Sequence, residues 1–122
     1  MGTFYTECRV GNHQDRSHSI EVPKPLVDTG AEFTWIKSET LNKAGVTKEQ
    51  KTYTFVTSTE QEITRAVGFA VLHVGEAVTT DEVVFGEPDD LELLDARSLE
   101  GLNLRVDSRE KKLVAGGPIL AA

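Results

Sequence analysis

The chain has 122 residues, with 13 Lys plus Arg against 20 Asp plus Glu and a net charge of −7. That length suits one domain, 1–122, able to bury a single core. An acidic balance without a basic stripe excludes a nucleic-acid or anionic-membrane partner as the expectation, and no apolar run reaches the length of a membrane span. The single cysteine, Cys8, allows no intrachain disulfide. The first residues, Met1-Gly2-Thr3-Phe4-Tyr5, lack the basic and apolar regions of a signal peptide. A cytoplasmic setting is therefore the default expectation.

Residues 3–10 are rich in β-branched and aromatic types and end at Gly11-Asn12, which predicts a strand and a turn. Residues 12–18 are polar. Pro23 and Pro25 bracket Lys24 and predict an extended stretch at a sheet edge or outside the ladder. Leu26-Val27 begins a short apolar strand that stops at Asp28-Thr29-Gly30, and residues 33–36 resume as a strand. Ser38 reads as the N-cap of a short helix over 39–44, closed by a left-handed Gly45. Residues 51–57 read as a strand with Tyr53 and Phe55 on one face, and 58–61 as a hairpin tip.

The run 63–74 is β-prone with a bend at Gly68; Gly75-Glu76 turns the chain, and 77–85 returns. A loop carrying Pro88 leads to an apolar strand over 91–94, a second short helix over 96–102, and a closing hairpin with strands at 104–106 and 112–114. Many short strands and only two short helices predict an all-β closed or partly closed barrel.

Asp28-Thr29-Gly30 is the triplet that carries chemistry. A carboxylate placed where an apolar strand ends can face a cleft on rigid backbone. Thr29 offers a hydroxyl for a fixed hydrogen bond, and Gly30 lets backbone or substrate approach closely. Asp and Gly also favour plain turns, which is the structural alternative for Asp28. His13, His18 and His73 fit no metal-binding spacing, and Cys8 has no activating base nearby in sequence.

Leu26-Val27-Asp28-Thr29-Gly30-Ala31 resembles the active-site loop of the retropepsin-like aspartic peptidases. Val83-Val84-Phe85-Gly86-Glu87-Pro88, Leu93-Leu94, Leu99-Glu100-Gly101-Leu102 and Val106-Asp107 are similar to the C-terminal half of small bacterial members. The resemblance implies a retropepsin-like acid-protease barrel with one or two short helices and one lobe per chain. It implies an endopeptidase acting on peptide or protein substrates through two carboxylates and a water, with no metal and no cofactor. Two carboxyl groups about 3 Å apart cannot both ionise, so the pair holds one proton. The chain has one such triplet, since Asp107-Ser108 is followed by Arg109. The second carboxylate must come from another copy, which makes the expected enzyme a homodimer.

By position in the motif, Thr29 would bond across to the partner copy, Ala31 and Glu32 would meet substrate, and Trp35 would line a side-chain pocket. Ala31 stands where serine would give the carboxylate a hydroxyl donor, which implies work at mildly acidic to neutral pH. Residues 55–64 would form the flap, with Thr57, Ser58, Thr59 and Glu60 against substrate, although family flaps usually carry glycine at the tip and this one has none. Asp95 is the larger departure, because family members have glycine there. It admits two readings: a cap for the helix that follows, or a third carboxylate crowding the catalytic pair. Trp35 could serve as plain core and Glu32 as a solvated charge. The competing functional reading is a catalytically silent peptide-binding or dimerisation module, and a third is a small barrel for an unrelated ligand.

Overall fold

Apolar residues alternate with polar ones in segments such as 8–11, 19–22 and 104–107 and run together in others, and the computed structural model, which describes residues 3–121, folds the chain mostly into one curled half-barrel sheet with two short helices. In chain order the elements are β1 (Phe4–Tyr5), β2 (Cys8–Gly11), β3 (Ser19–Val22), β4 (Leu26–Val27), β5 (Thr34–Lys37), α1 (Ser38–Lys43), β6 (Lys48–Val56), β7 (Glu62–Val74), β8 (Ala77–Gly86), β9 (Leu93–Leu94), α2 (Ala96–Leu102), β10 (Leu104–Asp107) and β11 (Lys112–Ala115). The main sheet runs β1-β4-β9-β5-β8-β7-β2-β3, with β6 attached to β7, while β10 and β11 form a separate hairpin. Both ends of the main sheet stay free, so the barrel is open. Among the described residues, no helix is long and apolar enough to cross a membrane.

Fully buried Val10, Ile36, Leu41, Leu72, Val83 and Leu94 belong to the main core, inside the curl. A smaller cluster of Phe4, Val27 and Leu99, with Val106 and Leu113 against it, lies beneath the loop that follows β4. Cys8 is part of the main core, and burial pushes its thiol up to about 12. The thiol is then protonated throughout the neutral range, so the thiolate that would attack a disulfide reagent is scarce. Native protein should label at Cys8 far more slowly than denatured protein, as followed by absorbance of the released thiol.

Five local expectations need correction. The segment 3–10 is two strands, because the chain changes partner at Thr6: β1 pairs with β4, whereas β2 pairs with β3 and β7. Residues 19–22, for which the sequence predicts no strand, form the edge strand β3. Lys24 is not extended but left-handed (φ 46°), since the chain must turn sharply between β3 and β4, which lie in different parts of the sheet. Ser38 is the first helical residue and not the cap. Strand β5 continues to Lys37 in parallel register with Gly86, so the helix begins directly after it with no side-chain cap. The strand expected over 91–94 shrinks to Leu93–Leu94. Glu92 instead accepts the Leu26 N–H on its carbonyl and the Lys37 N–H on its carboxylate.

The feature that places the site is the set β4, β9 and β5. Strand β9 lies between the other two, parallel to β4 (Leu26↔Leu93, Val27↔Leu94) and antiparallel to β5 (Trp35↔Leu93). Residues 28–33 therefore arch from one flank of β9 to the other. Both feet of this loop are held by ladder hydrogen bonds.

Candidate functional site

Asp28 is the first residue after β4, and its N–H donates to the Leu94 carbonyl at 3.0 Å. The chain then turns: Ala31 N–H donates to the Asp28 carbonyl at 3.2 Å, and Gly30 N–H donates to Asp28 Oδ1 at 3.0 Å. The side-chain bond is the Asx turn that an aspartate followed by a tight corner makes, and it orients the carboxyl group. Oδ2 has no side-chain or backbone partner among the described residues. Asp28, Thr29 and Gly30 line a cleft of about 220 Å³ with Thr3, Phe4, Val27 and Val106. Thr29 is exposed, and no described residue bonds its hydroxyl.

A second cavity, about 210 Å³, is walled by Trp35, Phe55, Val56, Thr57, Ile63, Asp90, Leu91 and Leu93. Its lining is mostly apolar, and the one charged group in it, Asp90, is already paired. Trp35 and Thr57 thus come together, and Asp28, Thr29 and Gly30 come together, but in separate cavities. Ala31, Glu32, Ser58, Thr59 and Glu60 line neither. Glu32 is exposed and takes no hydrogen bond among the described residues.

The β6–β7 hairpin carries the segment expected as a flap. Its register is regular from Thr52↔Ala66 to Val56↔Glu62, and the tip is 57–61. Thr57 organises this tip through backbone bonds to Gln61 and Glu60 and a hydroxyl that accepts the Gln61 N–H at 3.1 Å. Glu60 takes the left-handed conformation (φ 63°) that a glycine would supply. A side chain there is strained by about 1–2 kcal/mol, and a β-branched one more so. Glu60→Gly should stabilise the chain by less than about 1 kcal/mol, because glycine's unfolded-state freedom offsets part of the relief. Glu60→Val should destabilise it. Thermal melts of the two variants should move in opposite directions.

Inward-facing side chains of this hairpin reach the strand after the Asp28 loop. Phe33 meets Tyr53 at 5.2 Å and Phe55 at 5.6 Å between ring centroids, and Trp35 meets Phe55 at 4.8 Å. Arg97, on α2, lies 4.7 Å over the Phe33 ring. These tilted and edge-on contacts hold the hairpin against β5. Its polar fastenings are Lys51 to Glu82 at 2.8 Å and Arg65 to Asp90 at 2.7 Å. The Arg65 guanidinium holds the Asp90 carboxyl below the usual carboxylate range. A depressed carboxylate stabilises the fold above its unfolded value, near 3.9, and loses that contribution as pH falls through the lower folded value. The pair is therefore intact at mildly acidic pH.

Asp95 is fully buried and caps α2: its Oδ1 accepts the Ser98 N–H at 2.8 Å and the Thr34 hydroxyl at 3.0 Å. Ser98 Oγ lies 2.6 Å from Thr34 Oγ1 and donates to Asp81 at 2.8 Å. The capping reading thus describes where this carboxylate spends its bonds.

Several walls of both cavities have no distinct mark in the sequence. Phe55 is visible there as a strand alternation with Tyr53. Ile63 lies in the segment expected as a flap and Leu91 and Leu93 in the expected apolar strand, but nothing local says that they or the Arg65–Asp90 pair meet, because they do so only through tertiary packing. No family model, curated protein or solved structure matches the chain.

Proposed function

We propose that this chain is one subunit of a homodimeric aspartic endopeptidase of the retropepsin-like kind, with Asp28 from each copy forming the catalytic pair. The observation that carries the reading is the Asp28 carboxyl group itself. It is held by backbone at the end of a short strand, faces a cleft, and has one oxygen left without a partner among the described residues. A carboxylate arranged in this way is ready to act on something outside its own subunit.

Two such groups across a two-fold axis share one proton. The ionised member takes a proton from water as that water attacks the peptide carbonyl carbon. The protonated member donates to the carbonyl oxygen, giving a tetrahedral diol. Collapse of the diol breaks the C–N bond, with a proton delivered to the leaving nitrogen. Exposed Thr29 hydroxyls suit the role of tying the two loops together across the axis. The β6–β7 hairpin packs on Phe33 and Trp35, just after the Asp28 loop, and would supply walls of the apolar pocket around Trp35 for one substrate side chain. An extended peptide would lie along it strand-fashion.

A second reading, peptide binding without chemistry, is favoured by one observation: the aromatic group of Phe33, Trp35, Tyr53 and Phe55 is only partly buried and could hold a peptide unaided. One comparison separates them. Wild type and Asp28→Asn are assayed for peptide cleavage, and molecular mass in solution is measured with and without a statine-type mimic of the diol. The peptidase reading expects cleavage by wild type, loss of at least about a thousandfold in the variant, and a dimer stabilised by the mimic. Cleavage that persists in Asp28→Asn rejects it. Peptide binding by both proteins, with cleavage by neither, establishes the second reading.

A further inference from the structure

We propose that the Arg65–Asp90 ion pair is a clamp that sets the width of the apolar pocket around Trp35, and so acts as a positioning and specificity-determining element. What enters the pocket, a substrate side chain, rests on the peptidase reading; the clamp itself does not.

The pocket walls come from two pieces of chain joined to the body in different ways. Val56, Thr57 and Ile63 belong to the β6–β7 hairpin, and Leu91 to the 87–91 loop; Trp35 and Leu93 are the fixed floor. Ile63 and Arg65 sit two apart on β7, so they share a face, as their common partial burial shows. Leu91 directly follows Asp90. The ion pair therefore joins the two walls one step back from the residues that form them.

Its geometry suits a clamp. Arg65 Nε donates to Asp90 Oδ2 at 2.7 Å and Nη2 donates to Oδ1 at 3.1 Å, a two-point fork that fixes angle as well as distance. The side chains of Arg65 and Asp90 are only 12% and 16% exposed, so solvent competes little for either. Arg65 Nη1 is anchored on its own strand by the Thr64 carbonyl at 3.0 Å. Asp90 is anchored in its own loop: Oδ2 also accepts the Glu87 N–H at 2.7 Å, and the Asp90 N–H closes the Glu87-Pro88-Asp89-Asp90 turn onto the Glu87 carbonyl at 2.9 Å. Proline at the second position stiffens that turn. The longer contact from Arg65 to Glu87, at 3.8 Å, involves a largely exposed glutamate and adds little. Among the described residues, the hydrogen bonds and ion pairs between the hairpin and this loop all come from Arg65.

The test uses the full chain and the variants Arg65→Lys, Asp90→Asn and the exchanged pair Arg65→Asp with Asp90→Arg. Lysine keeps the charge but cannot fork onto both oxygens. Trp35 is the chain's only tryptophan and forms the pocket floor, so its emission reports the pocket without any substrate. The expected result is a red shift and easier acrylamide quenching in both single variants, returning toward wild type in the exchanged pair. In cleavage assays the preference for leucine over alanine at the pocket position should fall by roughly tenfold, mainly through KM, the size of discrimination an apolar pocket exerts over a few methylenes. Trp35 quenching unchanged in Asp90→Asn and Arg65→Lys, even with lower thermal stability, overturns the proposal and leaves the pair merely structural. If wild type cleaves no peptide, the peptidase reading fails on its own, and the quenching comparison still decides the clamp.

Discussion

Gly68→Ala should lower the thermal unfolding midpoint by roughly 10 °C, equivalent to about 3 kcal/mol for a domain of this size. Gly68 lies within β7, paired to Val83 of β8 on one side and to Lys48 of β6 on the other. A Cβ there would sit 2.5 Å from the Thr47 carbonyl oxygen and 2.9 Å from the Phe85 ring. The first neighbour is backbone and cannot rotate away. This is also where the β6 register shifts between Lys48 and Thr52, so the close approach belongs to the root of the hairpin. A methyl group would force β6 outward at its root and loosen the packing of Phe85 in the core. Circular dichroism melts of the variant, beside wild type, give the number directly. A midpoint equal to wild type would mean that β6 does not cross Gly68 in the way described.

Asp95→Gly should destabilise the chain by about 3 kcal/mol, whereas Asp95→Asn should cost about 1 kcal/mol or less. Oδ1 of Asp95 is the acceptor for the Ser98 N–H and for the Thr34 hydroxyl. Glycine removes that acceptor, leaves the buried Ser98 N–H without a partner, and opens space where the side chain stood. Asparagine keeps a carbonyl oxygen in the same place, which explains the expected contrast. The Arg97 contact, at 3.5 Å from a half-exposed side chain, is too long and too wet to alter this order. The sequence leaves open that this carboxylate restrains catalysis, in which case glycine would raise activity. Denaturant titration of the three proteins alongside peptide cleavage decides the matter. A glycine variant as stable as wild type and more active would show that Asp95 restrains catalysis and is not needed as a cap.

Much of the fold is legible from local pattern. The helix over 96–102 is placed by the sequence, with Asp95 as one reading of its cap. The 58–61 tip follows from a polar break between two β-prone runs. The stop of β4 at Asp28 follows from an apolar pair ending in turn residues. What stays hidden is pairing at long range. Thr34 and Asp95 are 61 residues apart, and Arg65 and Asp90 are 25 apart. Nothing in either neighbourhood names the other member. Lys24 is a different case: its prolines argue for extension, but the need to leave one part of the sheet and enter another overrides them. The same applies to Ser38, a good cap residue displaced by a strand that runs one residue further.

The threading of β9 between β4 and β5 also governs when the molecule becomes whole during synthesis. The Asp28 loop is translated first, and the strand that lies between its two feet follows more than sixty residues later. Until Leu93 and Leu94 have been made, β4 has only β1 to pair with, and the loop lacks the strand that lies between its two feet. The anchored form of this loop thus waits until most of these 122 residues have been made.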